Sequence, residues 1–415
     1  MERILKIHKA VTAFCLVLLA SVLYGCGGGG GSSSGDDGIA PERPVSNVSG
    51  VAFDGLIIGG DVRVYDFSGA NKGELLGTGK TNGQGLYTVN LSTSSKPILV
   101  EIDGGYYIEE ATGIQVQVDR TKGRKMLAVE YYESGKPIEL SATFFSTVAT
   151  GLVEYMVHRQ GLSTEVAIER AYAEMDGWAG FDTRHTTPFD VSAVVSATPY
   201  LTDSHRYGFV PAGISALTYE VGAATGDGVH DVFTSISFIQ TAYSDVRADG
   251  LLDGIGIEGP INFGNLALSG NTYRELLSMR MLQFVRGGRN QTGLSFTDVL
   301  PFASRINTYS GELFDNTSAP DITESQPVIT QLTPGNGVTM SGTFPVSALV
   351  NDPYGIESIH VYIGQQFVVA ASLSDGRADI DTLNFANGNY VLRVDVTNFM
   401  GNTVSATRNI TINNG

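Results

Sequence analysis

The period of the hydrophobic pattern changes twice along this chain, and that restricts its fold more than any other feature. Side chains in a strand alternate faces at every residue, whereas those on a helix return every 3.6, so one segment cannot satisfy both. From 47 to 137 the chain reads in period two: Val62, Val64 and Tyr65 fit one strand, with Leu86 to Leu91, Ile98 to Ile102, Ile114 to Val118 and Met126 to Tyr131 following. Gly59-Gly60, Asn82-Gly83 and Gly104-Gly105 mark turns between them. From 138 to 317 the period moves to 3.6, with Phe144, Val148, Leu152, Tyr155 and Met156 on one helical face. Ser163 is placed to cap a second helix running to Met175, and further helices are predicted over Ala212 to Gly222, Asp231 to Val246, Thr272 to Val285 and Phe296 to Tyr309. Pro188, Pro199, Pro211 and Pro260 are expected in the connections. After a linker at 318–325, alternation returns over 326–415 in about seven strands, the number that suits an immunoglobulin-like sandwich. The pattern predicts a multidomain β + α protein, two β-sandwich domains flanking an α-helical domain.

The N-terminal stretch addresses the chain. Arg3, Lys6 and Lys9 precede an apolar run from Ala10 to Leu23, shorter than the roughly 20 residues that cross a bilayer core. Residues 1–25 therefore read as a secretory signal, and 26–46, with their Gly and Ser runs, as a flexible tether. Leu23-Tyr24-Gly25-Cys26 resembles the lipobox of bacterial lipoproteins, which implies cleavage before Cys26 and acylation (palmitate among the chains) of its thiol. With Gly27 next, that resemblance implies an outer-membrane anchor, periplasmic or surface-facing. Cys15 and Cys26 are the only cysteines, so no disulfide is expected in the mature domains. Loss of the signal, whose basic residues outnumber Glu2 by two, takes the formal charge from −17 to −19. An acidic surface without a Lys/Arg stripe argues against nucleic acid as a partner.

Three further resemblances carry fold expectations. Val48-x-Gly50-x-Ala52, Ile58-Gly59-Gly60-x-Val62-x-Val64 and Thr81-Asn82-Gly83-x-Gly85-x-Tyr87 resemble the carboxypeptidase regulatory-like, prealbumin-type β-sandwich, a non-catalytic accessory. Ser141-Ala142-Thr143 to Leu152, the Ala-rich second helix, Gly180-Phe181-Asp182 and Thr187-Pro188 resemble a helical segment of proteobacterial surface lipoproteins. Asn387-Gly388-Asn389-Tyr390-x-Leu392-x-Val394 resembles strand F of bacterial Ig-like repeats, with a tyrosine corner and with Leu392 in the place of the usual cysteine.

Catalytic signatures are scarce. HExxH and CxxC do not occur. Gly79-Lys80-Thr81 imitates the end of a phosphate loop, but Glu74 occupies the place of its first glycine. His185, His205 and His230 share the helical segment with Asp182, Asp203, Asp227 and Asp231, although no histidine pair has helical ligand spacing. The best metal lead is Asp245-x-Arg247-x-Asp249-Gly250-x-x-Asp253-Gly254. Asp245, Asp249 and Asp253 with a glycine at the bend suggest a Ca2+ loop, although Arg247 and Gly256 stand where ligands belong. Tyr106-Tyr107 and Tyr131-Tyr132 each place one ring in the core, and Trp178 is read as packing. The expected function is a lipid-anchored envelope protein without enzymatic activity, serving adhesion, scaffolding or ligand display towards a protein or glycan at the cell surface. The alternatives are an extracellular hydrolase using carboxylates such as Glu154, Glu169, Glu174, Asp182 and Asp190, or a calcium-binding surface module.

Overall fold

The computed structural model describes residues 46–193, 200–227 and 231–415. Cys26, the signal and the tether lie outside the described residues, as does His230.

Nine strands form the N-terminal part: β1 Ser46–Val51, β2 Asp61–Asp66, β3 Leu75–Lys80, β4 Leu86–Leu91, β5 Lys96–Asp103, β6 Tyr106–Ile108, β7 Gln115–Gln117, β8 Met126–Tyr132 and β9 Ile138–Glu139. They build a sheet ordered β3-β2-β5-β8, a smaller sheet β4-β1-β9, and the hairpin β6-β7. The strands β5 and β8 are buried along nearly their whole length, unlike β4, which strictly alternates. Continuous burial means both faces of the sheet are covered. One face packs on β1 and β4, and the other on α1 (Phe144–Gln160), where Thr147 Oγ1 accepts from the Leu127 amide at 3.0 Å and Ser146 Oγ donates to the Leu127 carbonyl at 2.7 Å.

The helical layer continues with α2 Thr164–Ala179, α3 Asp203–Thr225, α4 Ser235–Asp249, α5 Leu277–Arg286 and α6 Phe296–Thr308. Thr143, Ser163, Thr202 and Thr234 cap the first four, their hydroxyls taking amides that the first turn leaves unpaired. Pro211, expected in a connection, lies inside α3, buried with Val210 and Ala212. A proline there costs about 3 kcal/mol of helix propensity, which tertiary packing of the surrounding apolar face offsets. Two small hairpins follow α4, the first from β10 Ile255–Gly256 and β11 Gly259–Pro260, the second from β12 Asn262–Phe263 and β13 Leu266–Ala267. Trp178 is fully buried at the centre, donating to the Ile306 carbonyl at 3.1 Å and standing edge-on to Phe144, Phe145 and Phe314. Among the described residues, no helix is long and apolar enough to cross a membrane.

One hydrophobic core runs without a break from Val48 through the helices to Phe314, so the change of period near residue 138 is not a change of core. A separate core fills the C-terminal part. There β14 Val328–Thr333, β16 Thr343–Asn351 and β19 Arg377–Asp381 face a sheet ordered β15-β21-β20-β17-β18. The latter comprises β15 Val338–Met340, β17 Ile356–Ile363, β18 Gln366–Ala370, β20 Gly388–Asn398 and β21 Thr403–Ile412. This is a β-sandwich of eight strands, one more than expected; β15 is too short to show a period. Tyr390 donates to the Ala386 carbonyl at 3.0 Å, the expected corner, and Leu392 is buried in the inter-sheet core. Arg286 joins this sandwich to the helices, lying 3.5 Å from the Phe399 ring centroid and donating to the Tyr354 carbonyl at 3.0 Å.

Candidate functional site

The three aspartates of the expected Ca2+ loop do not converge. Helix α4 continues through Asp249, so Asp245 lies inside a helix, one turn before its end. Asp245 is fully buried and its Oδ2 accepts from the Gly254 amide at 2.9 Å. Asp249 closes a turn onto the Leu251 amide at 2.9 Å, and Asp253 another onto the Ile255 amide at 2.8 Å. Asp249 and Asp253 thus each serve their own turn while Asp245 ties the helix to Gly254, and among the described residues no group of three His, Cys, Asp or Glu side chains is placed to hold a metal ion. Burial raises the Asp245 carboxyl to about 6, a rise moderated by the Gly254 amide and by Tyr273.

The other predicted groups are likewise occupied. Glu154 accepts from Tyr243 at 2.8 Å and pairs with Arg247; Glu169 pairs with Arg184, and Glu174 accepts from Tyr309 at 2.9 Å. Asp182 is paired with His185 on the surface at 2.9 Å, and Asp190 accepts from Ser192 at 2.7 Å. His205 stacks at 4.5 Å on Phe189 and contacts the cap Thr202. These carboxylates are spread over different partners and do not oppose one another across a cleft. Asp227 accepts from the amides of Asp231, Val232 and Phe233 ahead of α4, whose cap is Thr234.

What the sequence did not disclose is a cationic groove where the first sheet emerges from beneath α1 and α4. The outer half of that sheet face carries Asp61, Arg63, Glu101 and Asp103 in register. Glu101 lies between Lys72 at 2.8 Å, Lys125 at 3.1 Å and Arg63 at 3.2 Å. Asp103 pairs with Arg63 and, at 2.6 Å, with Arg120, which reaches Asp61 at 2.7 Å. Burial alone would raise the Glu101 carboxyl, but the ammonium groups of Lys72 and Lys125 outweigh it and hold it at about 2. The acids are consumed in holding the bases erect.

Beside this ladder lies a groove of about 840 Å³ lined by Lys122, Arg124, Arg247, Glu258 and the polar stripe Ser237, Gln240, Thr241 and Ser244. It adjoins two smaller depressions of about 290 and 360 Å³ through Arg247 and Arg124 respectively, and those two share Lys125. The polar stripe follows the i, i+3, i+4, i+7 spacing of one helix face, so α4 forms the floor. The hairpin β10-β11 forms a wall, with Ile257 at its tip 78% exposed. Helices α1 and α4 come together closely because Gly151 has no side chain: a Cβ there falls 2.7 Å from the Tyr243 carbonyl oxygen.

A second group that sequence reasoning passed over is buried and does not line the groove. Glu109 accepts from Tyr107 at 2.7 Å and from the amide and hydroxyl of Ser235 at 3.0 and 2.6 Å, tying the first hairpin to α4. Glu110 accepts from the Gly55 amide at 2.6 Å, and neither oxygen of Asp54 has a partner. Burial, reinforced by neighbouring carboxylates, raises both Asp54 and Glu110 well above the ordinary carboxylate range.

No family model matches this sequence, and no curated protein matches it. Among solved structures the chain is similar to the fibronectin(III)-like modules of Clostridium thermocellum CbhA, at 17% identity over 21% of this chain and 94% of that one, with a TM-score of 0.19. The PKD1 domain of Vibrio anguillarum Epp matches at 17% identity over 22% and 96%, with a TM-score of 0.17. SGBP-B from the Bacteroides ovatus mixed-linkage glucan utilization locus, solved with a mixed-linkage heptasaccharide, matches at 17% identity over 22% and 24%, with a TM-score of 0.18. At such TM-scores these likenesses carry no argument about function; the β-sandwich assignment rests on the two facing sheets themselves.

Proposed function

We propose that this chain is an exported, lipid-anchored envelope protein, tethered at an outer membrane through Cys26, that displays a binding groove and an Ig-like module without carrying out catalysis. The observation that carries the binding reading is the groove itself: it presents Lys122, Arg124 and Arg247 against one lining acid, Glu258, over a floor of hydroxyls and an amide, while the neighbouring Glu101 and Glu154 are committed to ion pairs. Such an arrangement recognises and holds; acid–base hydrolysis requires two carboxylates facing a shared substrate space. The basic start, the short apolar run and the Leu-x-Gly-Cys sequence support the anchor. Membrane fractionation of cells expressing the full chain tests this reading. Wild type is expected in the membrane pellet, shed by protease treatment of intact cells if it faces outwards, and labelled by a radioactive fatty acid that Cys26→Ala, with its signal left uncleaved, does not take up. A wild type without the label, or a Cys26→Ala chain labelled equally, would refute lipid anchoring.

A further inference from the structure

We propose that the groove along α4 is a binding site for an anionic oligosaccharide, a sugar chain carrying carboxylate or phosphate groups; this rests on the binding reading above and names its ligand class. The decisive residue is Arg124. It is only 4% exposed, yet it lines both the main groove and the adjoining ladder. Its Nη2 donates to the backbone carbonyls of Asp231 and, at 3.3 Å, Val232, and among the described residues no carboxylate pairs with it. A guanidinium held in a nearly buried place by neutral acceptors has no hydrogen-bonded counter-charge, Asp119 acting on it only through space, and a buried charge is costly unless paired. In a chain of 43 acidic and 26 basic residues, the groove gathers Lys122, Arg124 and Arg247 against one lining acid, Glu258; Lys122 pairs with Asp231 at 2.6 Å and Arg247 with Glu154, which leaves Arg124 as the groove cation without a carboxylate ion pair among the described residues.

The rest of the lining selects among anions. The volume lies in the range of small-ligand sites and exceeds what one inorganic ion would fill. Thr241 and Ser244 each donate to a carbonyl one turn back, which leaves their oxygens as acceptors for sugar hydroxyls, while Ser237 donates to the Thr234 carbonyl and already accepts from the Thr234 amide at 2.8 Å. Pro260, Ile261 and the exposed Ile257 offer an apolar wall to the C–H face of a sugar ring. The site is concave and floored by a helix, a form that takes up a chain and fits a flat bilayer poorly.

Calorimetric titration of the full processed chain in detergent tests the assignment, with oligogalacturonate, a neutral maltooligosaccharide of matched length, inorganic phosphate and glycerophosphoglycerol, the soluble headgroup of phosphatidylglycerol, as probes. Saturable binding of oligogalacturonate is expected, weakened at least tenfold from about 0.1 to about 1 M salt as the screening length falls from about 10 to about 3 Å. Lys122→Glu should lower that affinity at least tenfold, whereas Lys136→Glu, the same charge change at an exposed position outside the groove, should leave it within twofold. Equal binding of the neutral sugar, insensitive to salt, would overturn the anionic class and leave the binding reading standing. Preference for glycerophosphoglycerol would overturn it in favour of a membrane headgroup, and equal loss in both variants would overturn it by reducing the binding to bulk charge. No binding of any probe would overturn the inference, while the labelling result for Cys26 would stand or fall separately.

Discussion

Replacing Asp245 by asparagine isolates the electrostatic cost of a carboxylate that the fold buries without a cation. The Asp245 carboxyl is raised from 3.8 to about 6 by burial. Between those values the folded chain binds more protons at this position than the unfolded chain, so stability falls as pH rises. A gap of about two pH units at about 1.4 kcal/mol each sets an upper bound near 3 kcal/mol, nearer 2 once solvent screening is allowed for. Asparagine keeps an oxygen for the Gly254 amide and has no charge to lose. Urea unfolding of wild type and Asp245→Asn at pH 4, 5, 6 and 7.5 measures the difference. The variant should gain roughly 2–3 kcal/mol relative to wild type between the ends of that series, with most of the change between pH 4 and 6. A difference that does not vary with pH would refute the reasoning. So would millimolar Ca2+ that stabilised wild type, but not the variant, at pH 7.5, because it would require Asp245 to be an ionised ligand.

Gly151→Ala should destabilise by about 1–3 kcal/mol, since its methyl group must push α4 away from α1; a thermal melt checks this, and unchanged stability would refute the close approach. Arg286→Ala removes the guanidinium between Phe399 and the Tyr354 carbonyl, and calorimetry should then resolve separate transitions for the C-terminal sandwich and the rest. Tyr390→Phe deletes the hydroxyl that donates to Ala386 and should cost about 1 kcal/mol in the transition of that sandwich alone.

Local pattern was enough for much of the fold. Periodicity alone placed α1 from Phe144, and Ser163 marked the start of α2 because a cap is a local bond between neighbours in sequence. Tyr390 and Leu392 were legible for the same reason: an alternating strand determines which side chains turn inward. Spacing misled at Asp245, Asp249 and Asp253, because a calcium loop wraps its ligands round one ion with an irregular backbone, and here the helix extends through the first two. Pro211 was misplaced because its local penalty is smaller than the packing gain of the buried stretch around it. The cationic groove was not legible at all. Arg63 and Glu101, Lys122 and Asp231, and Arg124 and Val232 are separated by 38 to 109 positions and meet only when β2, β5 and α4 are brought side by side. The sequence by itself determined the elements, because strand and helix periods, caps and turns are short-range. Only the tertiary structure decided which charges face one another, because Coulomb interactions depend on distance in space and not on separation along the chain.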